Sequence, residues 1–186
     1  MYKRQVYLTA ADAAGTMVSF IQSNYHGFGS GVVVPGTGIS LHNRGLNFVL
    51  TPGHANQVGP RKKPMHTIIP AFITRGGEPV MSFGVMGGSM QAQGHLQMVT
   101  RLAAFGQNPQ AMSDAPRFRV EKGPVVNVES HLPADVVDTL RQRGHNVAVA
   151  PADSLEFGSA QLICRLPHGG YVAASDSRRD GQAVGF

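Results

Sequence analysis

Apolar residues recur along this chain with two different periods, and the places where one gives way to the other mark its elements. Residues 6–10 and 17–23 are β-prone and flank the turn Asp12-Ala13-Ala14-Gly15, which predicts a hairpin. Residues 67–74 and 80–85 predict a second hairpin around Arg75-Gly76-Gly77-Glu78-Pro79. A helix is predicted over residues 89–105, because Ala92, Leu96, Val99 and Ala103 recur at i, i+4, i+7 and i+11 on one helical face. A shorter helix follows near residues 109–113. A third covers residues 133–143, with proline in its first turn, Val136, Val137 and Leu140 as its apolar positions and Gly144 as its stop. The tail from 147 to 174 reads as three more strands. Between the hairpins, Gly27-Phe28-Gly29-Ser30-Gly31 is a glycine-rich loop, Val32-Val33-Val34 a short apolar run, and Pro35-Gly36-Thr37-Gly38 renewed punctuation. Residues 39–50 lead into a strand-like piece, and residues 51–64 are loop. No repeat, low-complexity tract or dividing linker appears, so hairpins and helices belong to one α+β unit.

Composition narrows the class. The 186 residues are 42% hydrophobic and 15% charged, enough apolar material for one domain with a real core. A single cysteine, Cys164, excludes an internal disulfide framework and a cysteine-based metal cluster. It sits in the apolar run Gln161-Leu162-Ile163-Cys164-Arg165-Leu166, which predicts a buried strand thiol rather than a nucleophile. No run approaches the ~18 apolar residues of a membrane span, and no segment reads as a secretory leader. The net charge of +5 is spread out, and the one dense basic run, Arg61-Lys62-Lys63, is followed by Pro64. That pattern fits a solvated loop or a rim attracting anionic substrates rather than a nucleic-acid footprint. Among the histidines, including His42, His54, His66 and His95, no i, i+4 pair with a carboxylate is present, so no metal site is expected.

The candidate chemistry lies where Ser82-Phe83-Gly84-Val85-Met86 switches through Gly87-Gly88-Ser89 into the long helix. A strand-to-helix turn of paired glycines leaves backbone N–H groups exposed at a helix start, with the dipole behind them. Such amides can hold an anion, or an oxygen that becomes one during acyl transfer. The same glycines could serve a tight turn and nothing more, and spacing alone leaves both readings open.

Gly27-Phe28-Gly29-Ser30-Gly31, Met86-Gly87-Gly88-Ser89, the helix with Gln97, Asp114-Ala115-Pro116-Arg117-Phe118 and Ser175-Asp176 stand in one order. That order and spacing resembles the small subunit of γ-glutamyltransferases (γ-glutamyltranspeptidases) and their acylase-like relatives, from about residue 6 to the C-terminus. The resemblance implies an N-terminal-nucleophile hydrolase: an αββα sandwich of two stacked antiparallel sheets between helix layers, made by self-cleavage of a longer precursor. Burying the apolar faces of hairpins and helices in one unit asks for the same layering. The resemblance further implies an amide hydrolase or acyltransferase working through an acyl-enzyme with no cofactor. Its substrate would be a small γ-glutamyl or glutaryl-like amide, and its partner a large subunit from the same precursor.

Residue by residue, the resemblance assigns Gly87 and Gly88 to an oxyanion hole and Ser23 to steadying the nucleophile. It places Tyr25, Arg44, Asn47, His66 and Thr67 in the substrate pocket. In the family the small subunit begins with a threonine whose hydroxyl attacks the amide carbonyl and whose α-amine is the general base. The matching position here is Gln5, which has no hydroxyl to ionise. Either residues 1–5 are a non-native leader before a domain of residues 6–186, or the chain is a non-catalytic binding or regulatory relative that keeps the anion-binding turn. Thr9, the nearest hydroxyl, lies mid-strand and is expected to be structural.

The family's transpeptidases carry glutamine and aspartate where Arg44 and Asn47 stand, and the aspartate pairs with the glutamyl α-ammonium. Asn47 offers no counter-charge, and Arg44 would repel an ammonium but suits a carboxylate. The expected acyl group therefore has a terminal carboxylate and no α-amine, unless Arg44 is taken up by a carboxylate of the protein itself. The isolated chain is expected to expose apolar strand surface that the partner covers. The compartment stays open, since relatives are both exported and cytosolic. The whole reading needs the Gly87 and Gly88 amides to face the start of the first strand without being capped by the protein.

Overall fold

A computed structural model describes residues 5–186. The first hairpin forms as predicted. Strand β1 (Gln5–Ala11) pairs antiparallel with β2 (Met17–Ser23), setting Gln5 opposite Ser23 and Leu8 opposite Phe20. The second hairpin is β3 (Ala71–Arg75) and β4 (Glu78–Met86); its turn shrinks to Gly76-Gly77 because Glu78 and Pro79 already belong to β4. Helix α1 (Met90–Ala103) follows, then α2 (Pro109–Asp114), whose N-cap Asn108 accepts the Ala111 N–H at 2.9 Å. Strands β5 (Phe118–Val120) and β6 (Val125–Val128) were not predicted, being too short to display a period. Helix α3 (Ala134–Gln142) and the three tail strands β7 (Asn146–Val149), β8 (Ser159–Arg165) and β9 (Tyr171–Ser175) complete the chain.

Strands β3-β4-β8-β9 form an antiparallel sheet, with β4 and β8 at its centre. β4 is sealed on both faces, which its near-continuous apolar sequence requires. Met81, Phe83 and Val85 join Leu162, Cys164 and Ala174 of the sheet in a core closed by Met98 of α1 and Met112 of α2. Its other face meets the first hairpin: Thr9 is hydrogen-bonded to Ser82, and Gly84 leaves room for the Tyr7 ring, which any Cβ would strike. Cys164 is a buried strand thiol as predicted, and burial pushes it up to about 11, too high for a thiolate at neutral pH. The remaining strands make a small sheet, β5-β6-β7, in which β6 and β7 are parallel because α3 returns the chain between them. Val137 of α3 covers Val126, Val128 and Val147.

Two expectations are corrected. Residues 39–50 form no strand; Arg44–Asn47 is a turn of 3₁₀ helix. The Asn43 side chain accepts the His26 N–H at 2.9 Å and donates to the His26 and Gly29 carbonyls, so it competes with any ladder. The helix at 89–105 is present, but the stripe used to predict it faces outward. Leu96 is 63% exposed, while Gln91, Gly94, His95, Gln97 and Met98 are buried. Polar side chains take the inner face because backbone groups there need partners: Gln97 serves Phe118 N and O, and Gln91 serves Ile69 N.

The outer face of the first hairpin is apolar and uncovered, with Val6, Leu8, Val18 and Phe20 all at least 45% exposed. Among the described residues no helix is long and apolar enough to cross a membrane.

Candidate active site

The first hairpin lies across the central sheet with β1 antiparallel to β4, so Thr9 meets Ser82, Tyr7 meets Gly84, and Gln5 arrives at the end of β4. There Gly87 and Gly88 adopt φ of 148° and 63°, conformations that side-chain-bearing residues rarely reach. A Cβ on Gly87 would also press on the Gly158 Cα at 3.0 Å. The turn is closed by Met90 N–H to Gly87 O at 3.2 Å and Gln91 N–H to Gly88 O at 3.1 Å. Both glycine N–H groups are left pointing at the head of β1.

They converge on one atom. Gln5 Oε1 accepts from Gly87 N at 2.9 Å and from Gly88 N at 3.2 Å, and the Gln91 side chain adds its Nε2 at 3.2 Å. The cradle thus faces the start of the first strand, as the sequence reading requires. It is not uncapped, however, and that expectation is corrected. The cap is an amide carbonyl, carried by Gln5, the residue expected from the resemblance to stand at the nucleophile position. The reach of a glutamine side chain lets the first residue of β1 bridge to the end of β4.

The other predicted residues assemble beside this cradle. Ser23 is opposite Gln5 in the ladder, and its hydroxyl accepts the Tyr25 N–H at 2.9 Å. That bond supports Tyr25 at an unusual φ of 75°. The Tyr25 hydroxyl donates to Asn47 Oδ1 at 2.6 Å, and Asn47 Nδ2 donates to Met65 O at 3.1 Å. Arg44 is only 2% exposed and lies with its guanidinium carbon 5.4 Å from the Tyr25 ring centroid. Its N–H groups reach Thr67 Oγ1 and Ser23 O at 3.4 Å each, both long bonds. Among the described residues it has no carboxylate partner, so the alternative of an ion pair within the chain is not met. Burial lowers its pKa, with the Tyr25 side chain opposing, yet a guanidinium stays charged at neutral pH. His66 is exposed at the rim. Desolvation and the positive charges of Arg44, His42 and Lys63 hold its imidazole below the ordinary range. Thr9 bonds Ser82 within the core-facing layer, as a structural hydroxyl.

Behind the cradle stands an ion network. Arg117 and Asp176 are fully buried and paired at 2.6 Å. Arg117 also donates to Gly158 O at 2.9 Å and Ser113 O at 2.9 Å, while Asp176 accepts Ala160 N–H at 2.6 Å. Arg178 closes the network onto Asp176 and Glu129. Gly158, the residue against which Gly87 packs, is thereby fixed. Gln91 is the site residue the sequence reading missed; its signal was a polar residue one turn past Gly87 on a helix face that proves to be buried.

A helix layer on an antiparallel sheet on a hairpin, with strand-end amides aimed at the first residue of β1, is the architecture of N-terminal-nucleophile hydrolases. The sequence matches the gamma-glutamyltranspeptidase family over residues 3–186, and the chain belongs to that family. It is 37% identical over 186 residues to the oxamate amidohydrolase proenzyme of Klebsiella pneumoniae, covering 97% of this chain and 35% of that protein. The crystal structure of cephalosporin acylase from Bacillus halodurans superposes with a TM-score of 0.89 at 51% identity, over 95% of this chain and 33% of that one. The gamma-glutamyltranspeptidase of Pseudomonas nitroreducens complexed with L-DON gives a TM-score of 0.80 at 25% identity, over 97% of both chains. The chain spans about a third of the length of the curated relatives it matches.

Proposed function

We propose that this chain is the small-subunit part of an amide hydrolase or acyltransferase in which position 5 holds the nucleophile and Gly87 and Gly88 stabilise the oxyanion. One observation carries the reading: the two amides already hold an amide carbonyl oxygen, at 2.9 and 3.2 Å, at the head of β1. With threonine at position 5 and its α-amine free, the shorter side chain vacates the cradle. The hydroxyl attacks the acyl carbon, the amine takes its proton, and the carbonyl oxygen gains charge against the two N–H groups. Collapse of that intermediate expels the amine product, which receives the proton. An acyl-enzyme remains for water or an acceptor amine.

The acyl group, on this reading, carries a carboxylate and no ammonium. A guanidinium that is 2% exposed and has no counter-ion among the described residues is expensive to leave unpaired. It adjoins Ser23, which stands opposite position 5, so an acyl tail of glutaryl length anchored there presents its carbonyl to the cradle. Lys63 adds positive potential at the rim. Oxamate, named for the Klebsiella relative, is likewise an amide with a carboxylate and no amine.

In the complete enzyme with threonine at position 5, glutaryl-p-nitroanilide is expected to be cleaved faster than γ-glutamyl-p-nitroanilide. Arg44→Gln is expected to raise KM for the glutaryl substrate by roughly 10- to 100-fold, the loss of a charge-assisted contact of about 1.5–3 kcal/mol. Faster cleavage of the γ-glutamyl substrate would contradict the specificity.

The exposed Val6, Leu8, Val18 and Phe20 face supports a partner: the large subunit of the same precursor, laid over the hairpin. A second reading, a non-catalytic binding relative, is favoured by the Gln5 contact itself, since a residue that plugs the cradle suits a protein that does no chemistry. Substitution at position 5 separates the two.

A further inference from the structure

The geometry points to Gln91 as a third donor of the oxyanion site, a catalytic residue beyond the two glycines; this rests on the acyl-transfer reading above. Its Nε2 lies 3.2 Å from the same oxygen that Gly87 and Gly88 hold. The identity of that atom is fixed by the other end of the side chain, where Oε1 accepts the Ile69 N–H at 2.9 Å, so the amino group must face the cradle. The side chain is fully buried and cannot swing into solvent.

A positioning residue stands behind it. His95, one turn further along α1, contacts Gln91 O through Nδ1 at 2.6 Å and Ile69 O through Nε2 at 2.9 Å. Burial disfavours the imidazolium, so the ring donates to one of these two carbonyls and packs the first turn of α1 against the segment that also carries Thr67. Gln91 is held at both ends, which is the preorganisation that makes a donor effective in a transition state.

A third donor discriminates between the two states of the reaction. A ground-state carbonyl oxygen has two lone pairs and no formal charge, so the third N–H that the Gln5 oxygen accepts is weakly held. The tetrahedral intermediate's oxygen has three and carries full charge. The Gln91 N–H therefore gains more as charge develops than it does on substrate binding, and such interactions raise kcat rather than lower KM.

The test uses the complete enzyme with threonine at position 5 as the reference. Gln91→Glu keeps an acceptor for Ile69 N–H and removes the donor; Gln91→Met removes both. Each is expected to lower kcat by about 10²- to 10³-fold, the usual loss for one oxyanion donor, with KM within about threefold. An active reference whose kcat is unchanged in both variants overturns the role of Gln91 and leaves the acyl-transfer reading intact. A KM effect without a kcat effect also overturns it, as does failure of both variants to fold, which would mark Gln91 as structural. A reference that cleaves no amide removes the underlying reading, and this inference with it.

Discussion

Gln5→Thr, with the α-amine of that residue freed and the rest of the precursor present, is expected to give an amide-cleaving protein. Position 5 lies in β1, faces the Gly87 and Gly88 amides and stands opposite Ser23, which supports this expectation. Glutamine supplies neither a hydroxyl nor an open cradle, because its own carbonyl occupies the site. The substitution changes both at once. Deleting the nucleophile of a hydrolase typically lowers kcat by about 10⁶-fold, so restoring it is expected to raise the rate by several orders of magnitude. The check is release of p-nitroaniline from the glutaryl substrate, with burst kinetics for the acyl-enzyme. Gln5→Ala opens the cradle without supplying a nucleophile and is expected to stay inactive. An inactive Gln5→Thr protein with a verified free amine would favour the binding relative.

The largest stability effect is expected at Asp176. Removing one partner of a buried ion pair strands the other, here a fully buried Arg117, and costs about 3–5 kcal/mol. In a domain of this size that corresponds to a fall in Tm of about 6–20 °C. Asp176→Ala is expected to show this loss by thermal or urea unfolding, and Asp176→Asn a smaller one, because the amide can still accept the Ala160 N–H. In the complete enzyme with threonine at position 5, activity is expected to fall as well, since Arg117 fixes Gly158 and Gly158 backs Gly87. Burial alone would raise the Asp176 carboxyl. The Arg117 guanidinium and the N–H groups of Ala160 and Arg178 outweigh it and hold the group below its ordinary range. A depressed carboxylate contributes stability that is complete above the unfolded-state value and is lost as pH falls through the folded one. The Asp176 contribution is therefore expected to be constant at neutral pH and to fade below about pH 4, with Asp176→Asn losing part of that acid slope. A change under 1 kcal/mol in Asp176→Ala would contradict the network's role.

What could be read from the sequence follows from range. The first hairpin, the three helices and the tail strands were legible because periodicity and turn residues are local signals. The four-residue strand at Val125–Val128 and the parallel pairing of β6 with β7 were not, since so short a run shows no period and pairing is a tertiary choice. The α1 stripe was legible as a helix and misread as to face. Leu96 and Val99 look like a core stripe, but the inner face is claimed by backbone groups of Ile69 and Phe118 that need Gln91 and Gln97. In the site, the Gly87-Gly88 turn was visible as a strand-to-helix switch, and Arg44 as a charge out of place. The capping of that turn by Gln5 joins residues 82 positions apart, and nothing near either residue encodes it. Gln91 was hidden for a related reason: its work is defined by Ile69 and by the cradle, not by its neighbours in sequence.

On the proposed mechanism, Gly87 and Gly88 receive the oxygen of an acyl group attached at position 5. A crystal structure of the complete Gln5→Thr enzyme, trapped with a phosphonate analogue of the glutaryl amide, tests it most directly. The expected result is a covalent bond from the threonine Oγ1, with one phosphonyl oxygen about 2.7–3.1 Å from both glycine N–H groups. An adduct on another residue, or an oxygen turned away from those amides, would contradict it.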